Sequence, residues 1–131
     1  MTTEKIVILG GGGPYTPAII QSIAHSGEAL AGSEICLQDI DPSNLRMMTR
    51  LGERMADEAK TKLNFTSTTD ARQALAGGTF VITNFRVGGI EALKLDEEVP
   101  RKYGEYGQET SGPGGTFMAQ CTIPVVLDYC Y

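Results

Sequence analysis

The sequence lacks any long apolar run, since no stretch approaches the roughly 18 residues that a membrane-spanning helix needs. Its first residues, Met1 to Lys5, lead directly into a predicted strand, so we expect no signal peptide. Positive charge is scarce: 11 Lys and Arg stand against 16 Asp and Glu, for a formal net charge of −5. The absence of a long apolar run argues against a membrane as a partner. A nucleic-acid binder needs clustered cations to neutralise phosphates, so we do not expect a nucleic acid as a partner either.

Cysteine is sparse too, and its spacing argues against the common metal sites. Cys36, Cys121 and Cys130 form no Cys-x-x-Cys pair and no zinc-like spacing. Cys36 lies in a predicted buried strand, where a thiol behaves as a small hydrophobic side chain. These features favour a reduced, cytoplasmic protein. A length of 131 residues with 41% hydrophobic residues is typical of one globular domain, which we predict over residues 1–131.

Strand and helix patterns alternate along the chain, which predicts a parallel sheet flanked by helices. Right-handed crossovers place the first strand at the centre, with the second and the fourth on its two sides. The predicted strands are Lys5–Leu9, Glu34–Gln38, a short strand near Phe65–Ser67, and a buried strand, Phe80–Thr83.

The same sequence pattern predicts the start of two helices: an N-cap residue followed by proline at the first helical position. Thr16-Pro17 and Asp41-Pro42 supply it. In the second helix Leu45, Met48 and Leu51 fall on one face, which indicates core packing. Farther along, we predict helices over Asp70–Leu75 and Ile90–Lys102, a turn-rich segment over Tyr103–Gly115, and a helix bent at Pro124 that is still running at Tyr131. That last point favours a piece of a longer protein.

A tract of four glycines, Gly10 to Gly13, joins the first strand to the first helix. Glycine lets a pyrophosphate approach the backbone closely, and a helix N-terminus offers N–H groups and partial positive charge. Gly10 and Gly12 match the first two glycines of the dinucleotide fingerprint, but the third position is Tyr15, where Gly or Ala is usual. We interpret the tract as a phosphate-binding loop; the alternative is a plain tight turn.

An acidic residue completes this pattern. Asp39 follows the second strand, where a carboxylate hydrogen-bonds the adenosine ribose hydroxyls and selects NAD over NADP. The alternative is that Asp39 or Asp41 only caps the second helix; we assign capping to Asp41 and ribose binding to Asp39. Together these features predict an α/β fold, a Rossmann-type doubly wound parallel sheet in three αβα layers. The residues that we assign to NAD are Gly10, Gly11, Gly12, Gly13, Tyr15, Thr16, Asp39 and Asn84.

Four further segments are more specific, and in this order they resemble the fingerprints of glycoside hydrolase family 4. They are the opening loop Gly11–Pro17, Arg86–Gly89 after the fourth strand, Gly107–Gly115, and Thr122–Val126. The form Gly-Gln-Glu-Thr, which begins at Gly107, resembles the branch acting on 6-phospho-sugars. Within that branch we expect a 6-phospho-β-glucosidase rather than a 6-phospho-α-glucosidase.

The resemblance implies hydrolysis by redox-assisted elimination, an exception to the use of two carboxylates. NAD takes hydride from C3 of the sugar, a base removes the C2 proton, the aglycone leaves, water adds and the hydride returns. A divalent metal, usually manganese, polarises the C3 oxygen. In the family the metal ligands and the base lie beyond the segments matched here. We therefore expect no catalytic residue and no metal ligand in this chain, and a homo-oligomer for the whole protein.

The resemblance also assigns substrate contacts. The positions that match Arg86 and Glu109 lie near the sugar in the family, so we assign both to substrate binding. The alternative is that the two form a surface salt bridge of little energetic value. Asn84, at the end of the fourth strand, is assigned to the nicotinamide half of the cofactor.

Two other functions stay open at this point. A 2-hydroxy-acid dehydrogenase of the malate or lactate type shares the nucleotide fold and uses an arginine after the fourth strand, which Arg86 fits. Such an enzyme has no need of the glycine-rich segment Gly107–Gly115. A non-enzymatic NAD-binding module is the other possibility.

Overall fold

The computed structural model describes residues 3–131, so Met1 and Thr2, at the start of the segment where we expect no signal peptide, lie outside the described residues. The chain forms two compact units, one ending at Phe85 and the other comprising Arg86–Tyr131. The prediction of one NAD-binding domain over residues 1–131 stays a prediction. No helix within residues 3–131 is long and apolar enough to cross a membrane.

The first unit is built on a parallel four-stranded sheet in the order β3-β2-β1-β4. This order confirms the predicted central position of β1 between β2 and β4. A single 3₁₀ turn, Gly27–Leu30, precedes β2. The strands are β1 (Lys5–Leu9), β2 (Glu34–Gln38), β3 (Asn64–Thr68) and β4 (Phe80–Thr83), and the helices of this unit are α1 (Thr16–Ala24), α2 (Pro42–Glu58) and α3 (Ala71–Leu75).

The core of this unit lies between one face of the sheet and helices α1 and α2. Ile6 and Ile8 of β1 point to that face because side chains alternate along a strand. They pack in one buried cluster with residues of β2 and of the two helices: Ile20, Ile23, Ile35, Leu37, Leu45 and Met48. The short helix α3 lies against β1, β2 and β3 on the face of Val7. The helical periodicity of α2 was therefore interpreted correctly.

Strand β4 differs from its prediction as a buried strand. Phe80 is 55% exposed and Val81 is 48% exposed. The reason is topological, since β4 is the last strand at one edge of the sheet and has β1 as its strand neighbour among the described residues. Apolar composition predicts a strand there correctly, but it does not distinguish a central strand from an edge strand.

The second unit contains two helices that pack on each other, α4 (Gly89–Arg101) and α5 (Gly112–Cys130). Helix α4 begins one residue before the predicted start at Ile90 and ends one residue before the predicted end at Lys102. The segment Tyr103–Gly115 was predicted as turns throughout, which is wrong at its end because α5 already begins at Gly112. The helix predicted around Pro124 is confirmed, since α5 continues through that residue, while the predicted bend there stays a prediction.

Candidate functional site

The glycine tract is fixed against the ends of β2 and β4. The N–H groups of Gly10 and Gly11 both donate to the Gln38 carbonyl, at 2.8 and 2.7 Å. Gly10 has a φ of +84°, and a Cβ added to it would lie 2.2 Å from the Asn84 carbonyl oxygen. A side chain at Gly10 would therefore meet both backbone strain and a steric clash. The loop depends on glycine at this position.

The middle of the tract is attached to Asp39. Its Oδ2 accepts the Gly12 N–H at 2.9 Å, while Oδ1 accepts the Asp41 N–H at 3.1 Å. A Cβ on Gly12 would lie 2.8 Å from the same Oδ2 atom. Asp39 is partly buried, and each carboxylate oxygen keeps further acceptor capacity. The structure thus places Asp39 directly beside the glycine loop, at the carboxyl ends of β1 and β2.

The neighbouring acid has the structural role that was predicted for it. Asp41 Oδ1 accepts the N–H groups of Ser43 at 2.7 Å and Asn44 at 3.3 Å, and so caps helix α2. Helix capping by Asp41 is confirmed. Asp39 has different partners and does not cap α2, which leaves ribose binding as the prediction for that residue.

The start of α1 corrects another expectation. Tyr15, not Thr16, occupies the N-cap position, and it makes no side-chain capping bond. Thr16 is the first helical residue; its side chain is fully buried, and its hydroxyl donates to the Gly10 carbonyl at 3.4 Å. The hydroxyl therefore points toward the loop and not toward solvent.

Most backbone donors of the loop are used within the protein. Gly13 donates to the Gly10 carbonyl at 3.0 Å, and Thr16 donates to the Gly13 carbonyl at 3.2 Å. Pro14 has no N–H. Tyr15 is the residue between Gly10 and Thr16 whose N–H has no acceptor among the described residues. That N–H, at the positive end of α1, is the backbone group best suited to an anion.

Asn84 lies at the end of β4, where its side-chain amide reaches the loop. Its Nδ2 donates to the Gly10 carbonyl at 3.4 Å and to Thr16 Oγ1 at 3.2 Å. The structure therefore brings together, at the carboxyl ends of β1, β2 and β4, the eight residues assigned to the cofactor: Gly10, Gly11, Gly12, Gly13, Tyr15, Thr16, Asp39 and Asn84. Their assignment to NAD stays a prediction.

Arg86 and Glu109 meet in the second unit, together with a residue that the sequence did not indicate. Arg86 NH2 lies 2.5 Å from Asp96 Oδ2, and NH1 lies 3.5 Å from Glu109 Oε2. The side chain of Asp96 is 12% exposed and that of Glu109 is 54% exposed. Arg86 Nε is buried and has no acceptor among residues 3–131. The stronger partner of Arg86 is thus Asp96 rather than Glu109.

The burial of Asp96, which the structure shows and the sequence alone does not, calls for a cationic partner. Asp96 and Pro100 are the buried residues of α4, and they are four residues apart, on one face of the helix. An acidic residue on the inward face of a helix is rarely buried without a cationic partner. Arg86, ten residues earlier, is the partner that this rule would have suggested.

Close backbone packing holds the glycine-rich segment beside α4. A Cβ on Gly107 would lie 2.3 Å from the Glu97 carbonyl oxygen. A Cβ on Gly114 would lie 2.2 Å from the Gln108 carbonyl oxygen and 2.8 Å from that of Asp96. These glycines allow the segment that carries Glu109 to approach the helix that carries Asp96.

A metal centre needs several convergent ligands. Within residues 3–131, no group of three or more His, Cys, Asp or Glu side chains is placed to hold a metal ion. Cys36, Cys121 and Cys130 are free thiols. The donor set of the described residues therefore does not fit manganese, and we assign no metal ligand among them.

Comparison with known proteins decides the family. The model of the family 4 glycosyl hydrolases matches residues 5–131. The chain belongs to glycosyl hydrolase family 4. This membership confirms the family resemblance of the four segments, and it does not favour the dehydrogenase or the free-standing binding module.

Similar proteins and solved structures agree on the fold. The chain is 41% identical over 126 residues to a probable 6-phospho-β-glucosidase of Bacillus subtilis (strain 168), covering 95% of this chain and 28% of that protein. The 6-phospho-β-glucosidase of Thermotoga maritima, solved with NAD and glucose-6-phosphate, superposes with a TM-score of 0.86 at 30% identity, over 98% of this chain and 30% of that one. A 6-phospho-α-glucosidase from gut microorganisms, solved with NAD and Mn²⁺, superposes with a TM-score of 0.88 at 26% identity. This superposition covers 98% of this chain and 30% of that one. The predicted Rossmann-type fold is confirmed.

Proposed function

We propose that this chain is the NAD-binding part of a 6-phospho-β-glucosidase, an enzyme that hydrolyses 6-phospho-glucosides. The observation that carries the proposal is the attachment of the glycine loop to Asp39, through the 2.9 Å bond between the Gly12 N–H and Oδ2. Family membership supports the reaction class. Because the chain spans only 28% of its Bacillus subtilis relative, the activity of the whole protein is part of the proposal.

The loop fits a dinucleotide on the evidence of its own contacts. Side chains at Gly10, Gly11 and Gly12 would clash with atoms of the protein itself, so glycine is what lets the loop take this path to the start of α1. We assign the pyrophosphate to the N-terminus of α1, where the Tyr15 N–H is available and the helix dipole favours an anion. When bound, NAD supplies a reversible hydride acceptor.

Asp39 accounts for the choice of cofactor. Its carboxylate is held by the N–H groups of Gly12 and Asp41, which leaves acceptor capacity for the two ribose hydroxyls. A 2′-phosphate in place of the 2′-hydroxyl would bring negative charge against this carboxylate. The proposed cofactor is therefore NAD rather than NADP.

Arg86 and Glu109 are proposed to contact the sugar. Glu109 is the exposed member of the group, and its carboxylate can accept hydrogen bonds from sugar hydroxyls. Arg86, which lies 3.5 Å from Glu109 and 2.5 Å from Asp96, supplies the positive charge that keeps two nearby carboxylates together. The fixed geometry of this group suits a residue that must orient a substrate rather than move with it.

The β-glucoside is preferred over the α-glucoside because of the sequence comparison. The relatives named for the β-linkage in Bacillus subtilis and Escherichia coli are 41% and 39% identical, whereas a 6-phospho-α-glucosidase of Lacticaseibacillus paracasei is 33% identical. For the whole protein we further propose a divalent metal, manganese, held by residues other than those described here, as well as a homo-oligomer in the cytoplasm. Free thiols support the cytoplasmic location.

Two measurements test the proposed function. Calorimetric titration of the purified chain should show saturable binding of NAD, with NADP at least 10-fold weaker. A full-length protein that carries this chain should release p-nitrophenol from the 6-phospho-β-glucoside, and more slowly from the α-anomer and from the glucoside that lacks phosphate. Absence of NAD binding would overturn the cofactor assignment. Equal turnover of the phosphorylated and unphosphorylated glucosides would overturn the substrate assignment.

A further inference from the structure

Three donors converge on the carbonyl oxygen of Gly10. The backbone N–H of Gly13 donates to it at 3.0 Å, Thr16 Oγ1 at 3.4 Å and Asn84 Nδ2 at 3.4 Å. Asn84 Nδ2 also donates to Thr16 Oγ1 at 3.2 Å. One carbonyl group thus joins the end of β1, the start of α1 and the end of β4.

The side-chain donors of this network are already used inside the protein. Thr16 is 0% exposed, so its single hydroxyl proton is spent on the Gly10 carbonyl, away from solvent. Asn84 has two N–H protons and two acceptors for them, Gly10 and Thr16. The polar hydrogens of the Thr16 and Asn84 side chains therefore donate within the protein and are not available to a ligand.

We propose that Thr16 and Asn84 are positioning residues for the phosphate-binding loop and donate no hydrogen bond to the cofactor. They fix the direction of the Gly10 carbonyl, and with it the turn that leads to the Tyr15 N–H. This inference rests on the proposed binding of NAD and changes the role of two residues that were assigned to it. It also accounts for the burial of a threonine hydroxyl at the start of α1.

The position of the turn matters because its electrostatic effect is short-ranged. The favourable field of a helix N-terminus falls off within the first turn, so a displaced loop loses much of its attraction for the pyrophosphate. Gly10 itself has no preference that would hold the turn, since glycine adopts positive φ as readily as negative φ. The restraint must come from neighbouring groups, and Thr16 and Asn84 supply it.

The experiment compares three ligands on variants of the purified chain. NAD contains nicotinamide, pyrophosphate and adenosine; ADP-ribose lacks the nicotinamide; adenosine lacks the phosphates as well. The variants are Thr16→Val, which removes the hydroxyl at constant shape, Thr16→Ser, which retains it, and Asn84→Leu. The matched control is Thr49→Val, because Thr49 also donates its hydroxyl to a backbone carbonyl, that of Leu45 at 2.8 Å, but lies on α2.

Thr16→Val and Asn84→Leu should raise the Kd for NAD and for ADP-ribose to the same extent, roughly 3- to 10-fold, the effect of one hydrogen bond. Adenosine binding, Thr16→Ser and Thr49→Val should remain near wild type. A loss confined to NAD would show that Asn84 contacts the nicotinamide, and an equal loss for all three ligands would show general misfolding. Either result, or no loss at all, overturns the inference.

A measurement without ligand separates this inference from the proposed function. The Gly13 amide should exchange its hydrogen faster in Thr16→Val and Asn84→Leu than in wild type, while amides of β2 remain unchanged. If the wild-type chain binds no NAD but Gly13 exchange rises in the variants, the network is real and the cofactor assignment is wrong. Unchanged Gly13 exchange would overturn the network itself.

Discussion

Arg86 and Asp96 form a close ion pair in which NH2 lies 2.5 Å from Oδ2 and both side chains are less than one-fifth exposed. Removal of one partner from such a pair leaves a charge in a site that water reaches poorly. The second carboxylate near Arg86, that of Glu109, is 54% exposed and lies 3.5 Å away. One arginine therefore has two carboxylate partners in different environments, which separates their expected contributions to stability.

Asp96→Asn should destabilise the protein by roughly 2–4 kcal/mol, because it leaves the Arg86 guanidinium without its main partner. Glu109→Gln is the matched control and should cost about 0–1 kcal/mol, as is usual for an exposed ion pair. Urea denaturation of the three proteins measures both values. Equal destabilisation by the two substitutions would contradict the difference in burial on which the prediction depends.

Arg86→Ala and Glu109→Gln should each lower kcat/KM for a 6-phospho-glucoside by about 100-fold, or roughly 3 kcal/mol, in a full-length enzyme that carries this chain. The reason is that hydride transfer tolerates little error in the position of the sugar. NAD affinity should hardly change, since neither residue is assigned to the cofactor. Steady-state kinetics and NAD titration are measured together. Normal turnover would reduce the pair to a structural ion pair, and lost NAD binding would move it to the cofactor site.

Asp39→Ala should weaken NAD binding by about 1–3 kcal/mol, because it removes both the acceptor for the ribose and the anchor of the Gly12 N–H. Asp39→Asn should lose less, since an amide oxygen can still accept from Gly12. Asp41→Asn is the control: asparagine caps a helix as well as aspartate does, so NAD affinity should stay at the wild-type value. Calorimetry on the four proteins gives the comparison, and an equal effect at Asp39 and Asp41 would contradict it.

Gly10→Ala should destabilise the protein by about 2–5 kcal/mol, since it combines a φ of +84° with a Cβ only 2.2 Å from the Asn84 carbonyl oxygen. Gly27→Ala provides the matched control. Gly27 has a φ of +66° but nothing within 4 Å of the added Cβ, so only the backbone strain of about 1–2 kcal/mol applies. Thermal denaturation distinguishes the two. Similar losses at both positions would mean that the loop shifts to make room at Gly10.

The chain of 131 residues alone should not hydrolyse a 6-phospho-glucoside, even with NAD and manganese supplied. Residues 3–131 contain no cluster of metal-ligating side chains, and a partial site cannot preorganise a transition state. The assay is release of p-nitrophenol by the purified chain, with a full-length family member as positive control. Release above the rate of a protein-free blank would show that this chain contains more of the active site than we assign to it.

The sequence predicted the sheet well because its signals are local. Continuous apolar runs located β1 and β2, and Asp41-Pro42 located the start of α2 through the chemistry of a helix cap. The site beside them was predictable in part: the place of Asp39 follows from strand order alone, whereas its bond to Gly12 does not. Side-chain contacts of this kind depend on the three-dimensional path of the loop.

Features set by distant packing were not predictable in this way. Helix α5 begins among glycines, which have poor helix propensity, so the sequence did not indicate its start. Glycine is needed there for packing, because a Cβ on Gly114 would lie 2.2 Å from the Gln108 carbonyl oxygen. The exposure of Phe80 follows from the edge position of β4, which is a property of the sheet and not of the residue. Asp96 was overlooked because its burial depends on packing that the sequence does not show.

The internal bonds of the glycine tract have a consequence for the entropy of binding. Glycine loses more conformational freedom on folding than any other residue. Here the N–H groups of Gly10 to Gly13 are all bonded within the protein, to Gln38, Asp39 and Gly10. The entropy lost in ordering four consecutive glycines is therefore part of the free energy of folding, and association with a ligand does not incur it again.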